Sequence, residues 1–194
     1  MTCAFFYINS PMEEIKILFF IVGAFFGVNQ SQIVAEKSTV TINPEEKTIL
    51  ILQENLISVV QKESDSISLT AELLKISDLE TQWTSEFDTY SKKEKEFYTS
   101  EENKALNLKL TLTYSKNEDL AAYGIYLNKD GEFSMTNFPK YHMSTTDGIL
   151  NDRYWNFKAD QPFTFTLEPL TDLPEKYNAF IKSLFPIWKT IKSK

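Results

Sequence analysis

The sequence predicts an α+β protein: a curved antiparallel sheet of about six or seven strands packed against a C-terminal amphipathic helix, with one further helix near residues 78–95. Three observations carry that reading. In Ala105–Ser115 the apolar residues Leu106, Leu108, Leu110, Leu112 and Tyr114 alternate with Asn107, Lys109, Thr111 and Thr113. That is the period of a strand with one buried and one wet face. Asn128-Lys129-Asp130-Gly131 separates two short apolar stretches, and Asp-Gly between such stretches is a strong hairpin signal. Near the C-terminus Tyr177, Ile181, Leu184, Trp188 and Ile191 follow one another at spacings of 4, 3, 4 and 3, which lines one face of a helix.

In chain order, the first feature is Ile17–Val28, an uninterrupted apolar run of 12 residues behind Lys16. A bilayer span needs about 20 residues, whereas a signal-peptide core has this length. Residues 1–32 are therefore read as an export signal and residues 33–194 as a single domain, giving a secreted or periplasmic protein of bacterial type with no stable membrane span after cleavage. Val22 and Ala24 suit the small-residue cleavage rule, and a cut nearer Gln32 fits as well. Against the export reading stand Glu13 and Glu14, where export signals are usually basic, and Met12 offers a second start. The competing readings are a buried segment of the domain or a membrane anchor. No lipidation cysteine follows the run, and the only cysteine, Cys3, precedes it. The remainder cannot build a disulfide framework or a thiolate metal site.

Val34–Ile42 runs into Asn43-Pro44-Glu45-Glu46-Lys47 and then Thr48–Leu52. Asn43 could cap a helix beginning at Pro44, but the β-branched residues on both sides favour a turn between two strands. Lys62–Ser68 reads as a polar loop. Ser77-Asp78-Leu79-Glu80 has the form of a capping box, and Leu79, Trp83, Phe87 and Tyr90 behind it give an apolar face, so a helix is expected over 78–95, ending in the charged stretch Lys92–Glu96. After the central strand, Ala121–Leu127 and Glu132–Phe138 form the Asp-Gly hairpin. Ile149–Lys158 and Phe163–Leu167 read as further strands. The last helix starts near Thr171-Asp172, and Pro186 should kink or split it.

Composition excludes more than it includes. The net charge is −7, of which Glu13, Glu14 and Lys16 contribute −1, and Arg153 is the single arginine; such a surface repels a phosphate backbone, so no nucleic-acid partner is expected. A hydrophobic fraction of 42% and an aromatic fraction of 14% suffice for a packed core. The one histidine, His142, lies beside Ser144, Thr145, Thr146 and Asp147, but triads are assembled from distant segments, so no catalytic residue is assigned. No metal site or cofactor is expected. Histidine and cysteine are too few for zinc, an EF-hand alignment over Asn128–Gly131 fails at Tyr126 and Asn137, and beyond Gly27 only Gly124, Gly131 and Gly148 are available for a phosphate loop.

Two patterns remain. The carboxylates Asp147, Asp152, Asp160 and Glu168 near strand ends could in principle supply a hydrolase pair. Tyr154, Trp155 and Phe157 with Arg153 could line a ligand cleft, although Trp155 and Phe157 fall on one strand face and fit core packing better. The functional expectation is an exported, non-enzymatic protein that binds a small apolar or glycan molecule between sheet and helix. The alternatives are an interaction module whose partner is an envelope protein and, weakest, a carboxylate hydrolase.

Overall fold

A computed structural model describes residues 19–28, 30–59 and 63–193. The fold is α+β, built on two antiparallel sheets. The strands are β1 (Val34–Asn43), β2 (Thr48–Val59), β3 (Lys92–Ser100), β4 (Ala105–Thr113), β5 (Ile125–Leu127), β6 (Glu132–Thr136), β7 (Ile149–Asn151), β8 (Tyr154–Lys158), β9 (Phe163–Leu167) and β10 (Ile181–Ser183). The α-helices are α1 (Glu63–Ser77) and α2 (Phe185–Lys192).

The larger sheet has the order β3-β4-β2-β1-β9, and β10 pairs with the far end of β2. β2 is long enough to take β4 along Thr48–Gln53 and β10 along Ile57–Val59. Between them Asn55 adopts a left-handed conformation (φ 49°), and its amide donates to Asn107 Oδ1 at 2.9 Å. The β1–β2 turn is closed by Asn43, whose Oδ1 accepts the amides of Glu45 and Glu46. The smaller sheet, β5-β6-β8-β7, contains the expected Asp-Gly hairpin, with Gly131 at φ 78°.

Directly paired residues of antiparallel strands share a face. The registers therefore give the core face of the larger sheet as three rows: Phe163–Ile42–Ile49–Leu112–Lys93, Phe165–Val40–Ile51–Leu110–Lys95, and Leu167–Ser38–Gln53–Leu108–Phe97. The predicted leucine face of β4 is this face, and Leu106, Leu108, Leu110 and Leu112 are fully buried. The smaller sheet brings its own inner face to one corner, where the Phe157 and Phe163 rings stack at 4.3 Å. Gly148 is required beside that stack, because a Cβ there would lie 2.6 Å from Phe157.

Several expectations are corrected in detail. Among the described residues ten strands form two sheets rather than six or seven forming one, because Ile149–Lys158 is a hairpin turning at Asp152, which takes φ 54°, and because Lys92–Ser100 and Ile181–Ser183 are strands where helix was expected. The first helix occupies Glu63–Ser77, including most of the expected polar loop, and buries Leu69, Leu73 and Ile76. Ser77 ends a helix instead of starting one, and its hydroxyl donates back to the Leu74 carbonyl. Past it, Leu79 is 89% exposed, while Phe87 and Tyr90 are buried from an irregular segment. Lys92–Ser100 is an edge strand on β4 whose Lys93, Lys95 and Phe97 face inward; alternating charge is a common protection for such an edge. The expected helix 171–194 is divided. Glu175–Phe180 forms a 3-10 turn, Ile181–Ser183 joins β2, and α2 begins with Pro186 in its first turn, where a missing amide hydrogen costs nothing.

The charged flank of the N-terminal run, Cys3, Met12, Ile17, Leu18 and residues 60–62 lie outside the described residues. Among the described residues no helix is long and apolar enough to cross a membrane.

Candidate functional site

The interior of this fold is filled by the N-terminal apolar run. Val22–Phe26 forms one 3-10 turn ended by Gly27 at φ 64°, and Phe19, Val22 and Phe25 are fully buried. The Phe19 ring stacks on Tyr123 at 5.3 Å and meets Phe165 edge-on at 5.3 Å. Phe25 lies 5.8 Å from Phe87, and Phe26 lies 5.0 Å from Trp83. Phe20 packs separately on Tyr141 at 5.0 Å. Backbone bonds from Val22 to Ile33 and from Ala35 to Phe20 hold the run alongside the start of β1. Where the run ends, the Glu72 carboxylate of α1 accepts the Ser31 hydroxyl and the Gln32 amide.

Beneath this run lies an anomaly in the apolar core face. Ser38 and Gln53 stand directly opposite each other on β1 and β2, in phase with Val40, Ile42, Ile49 and Ile51, and both are 0% exposed. Gln53 Nε2 donates to the Phe19 carbonyl at 3.0 Å. Among the described residues Gln53 Oε1 and Ser38 Oγ have no hydrogen-bond partner. Unpaired polar atoms in a dry interior are costly, by about 1–3 kcal/mol each.

The charged groups around the interior are all engaged. Lys95 donates to the carbonyls of Ile76 and Asp78, with its ammonium 4.6 Å from the centre of the Phe26 ring, and burial lowers its pKa. Lys93 donates to the Phe87 carbonyl at 2.9 Å. Asp119 accepts the amides of Ser115 and Lys116 and the Thr89 hydroxyl. Burial pushes its carboxyl up, but these donors outweigh burial and hold it below the usual carboxylate range. Burial pushes the phenols of Tyr90, Tyr114 and Tyr123 up.

The residues singled out from sequence do not converge. Phe157 is buried in the aromatic corner, and Trp155, on the same face, donates its indole N–H to Asn137 Oδ1 at 3.0 Å. Tyr154 projects from the opposite face, and the Arg153 side chain is 84% exposed in the β7–β8 turn. His142 bonds Asp172 at 2.8 Å, Ser144 bonds Thr166, and Asp147 accepts the Thr164 amide, so the three members of the imagined triad serve separate contacts. Among the described residues no group of three metal-ligating side chains occurs. A shallow surface hollow beside α2 is lined by Lys104, Ser183, Phe185, Pro186 and Lys189. Sequence reading missed Ser38 and Gln53. Their signal was present, as polar residues in the buried phase of two otherwise apolar alternations. Compared with protein-family models, curated proteins and solved structures, the chain finds no match.

Proposed function

We propose that this is an exported, non-enzymatic binding protein whose ligand occupies the interior space that residues 19–28 fill. The observation carrying the reading is the position of Phe19, Val22, Phe25 and Phe26, an apolar string threaded over the core face of the larger sheet and under α1. A covalently attached apolar peptide has a high effective concentration for a nearby groove, so it fills in the precursor the space a ligand takes in the processed chain. Support for processing comes from the length of the apolar run and the absence of cysteine beyond Cys3. The apolar lining favours an apolar ligand over a glycan.

The test is to express the full chain in an exporting host, recover it from the exported fraction and titrate it with the neutral dye N-phenyl-1-naphthylamine. The refolded full-length chain serves as the reference. The proposal expects dye binding by the exported chain and little by the reference. Equal, weak binding by both overturns it.

A second reading has its own observation. Tyr126, Ile149 and Tyr154 are exposed together on the outer face of the smaller sheet, across the Asn128–Ser134–Asn156 hydrogen-bonded ladder. If the N-terminal run is retained and the core stays filled, this face serves a module contacting an envelope protein.

A further inference from the structure

Resting on the export reading above, we infer that Ser38 and Gln53 are the polar anchor of the site and that its ligand is a neutral, slender apolar molecule bearing one carboxamide. Once the run leaves, Gln53 loses the Phe19 carbonyl, its hydrogen-bond acceptor at 3.0 Å. Its Oε1 and the Ser38 hydroxyl already have no partner among the described residues, in a fully buried setting. The vacated space then presents a carboxamide and a hydroxyl on adjacent strands, walled by Val40, Ile51, Leu108, Phe165, Phe87 and Tyr123.

The hydrogen-bonding inventory selects the complement. Gln53 Nε2 requires an acceptor, Gln53 Oε1 requires a donor, and Ser38 satisfies either. A carboxamide supplies both on one carbon. In the structure the position is already occupied by half of such a group, a peptide carbonyl carried by apolar side chains. An ionised head group is disfavoured, because the ammoniums of Lys93 and Lys95 are spent on backbone carbonyls and the approach to Gln53 is apolar. A hydrocarbon without a polar end leaves Gln53 and Ser38 unpaired.

The experiment uses the chain recovered after export. N-Phenyl-1-naphthylamine bound to it is displaced at pH 8 with decanamide and, separately, with sodium decanoate. The expected result is that decanamide displaces at least tenfold more tightly than decanoate. Gln53→Leu should reduce that preference by about tenfold, the loss of one buried hydrogen bond. Ser38→Ala, a smaller change for the fold, should reduce it in the same direction. Decanoate binding as tightly as decanamide, or an unchanged preference in both variants, overturns the inference while leaving the export reading intact. A recovered chain still carrying Phe19 overturns the export reading itself.

Discussion

Phe19→Ala separates the two fates of the N-terminal run. Phe19 is fully buried, with two rings against it: Tyr123 stacked and Phe165 edge-on, both at 5.3 Å. Truncating a ring so placed costs about 3–5 kcal/mol, from lost transfer energy and the cavity left behind. In the full-length chain, refolded so that no peptidase meets it, the urea midpoint should fall by roughly 1.5–2.5 M if the slope is about 2 kcal/mol per M. In the exported chain the proposal expects the same substitution to change nothing, since it has the run removed. Equilibrium unfolding followed by tryptophan fluorescence reads both, since Trp188 stacks on Phe97 and both residues belong to either chain. An unshifted full-length variant would refute the placement of Phe19 in the interior. A shifted exported variant would refute its removal.

Three further outcomes follow from the structure. Phe157→Ala removes the ring stacked on Phe163 and should lower Tm by roughly 10 °C in calorimetry, about 3–5 kcal/mol at 2–4 °C each for a chain of this size. Asp119 has its pKa depressed in the folded state, so its contribution is present above the unfolded carboxylate value near 4 and is lost as pH falls through the lower folded value; Asp119→Asn should flatten the acid limb of a stability–pH curve and cost about 2 kcal/mol at pH 7. Tyr90, Tyr114 and Tyr123 have raised values, so their contribution is complete below about pH 10 and declines above it. An absorbance titration should show these phenols ionising only together with alkaline unfolding, and a reversible early step for them would contradict their burial.

Much of the sheet was legible because strand periodicity and turn chemistry are local. β4 shows its buried face in four alternating leucines, and Asn43 and Gly131 mark turns through side-chain bonding and backbone freedom that depend on a few neighbours. The helix near 78–95 failed because Leu79, Trp83, Phe87 and Tyr90 keep a helical spacing while three of them enter the core from an irregular segment packed on the N-terminal run. The alternation Lys93, Lys95, Phe97 was hidden by charge, since inward-facing lysines at an edge strand find backbone carbonyls only in three dimensions. α1 was passed over for its polar start, although Leu69, Leu73 and Ile76 sit at helical intervals. The candidate site was half legible. Ser38 and Gln53 break an apolar phase in plain sight, but their facing each other depends on the β1–β2 register. The aromatic cluster at 154–157 misled because adjacent strand residues point to opposite faces, which divides Tyr154 from Trp155 and Phe157.

The decisive measurement is the mass of the exported chain, taken once under denaturing and once under native conditions. The account predicts a denatured mass for a chain beginning near Ile33 and a native mass larger by a constant small increment that disappears on denaturation. A denatured mass that retains Phe19 onward, with no added native mass, would contradict it and leave the filled interior as the permanent core of the protein.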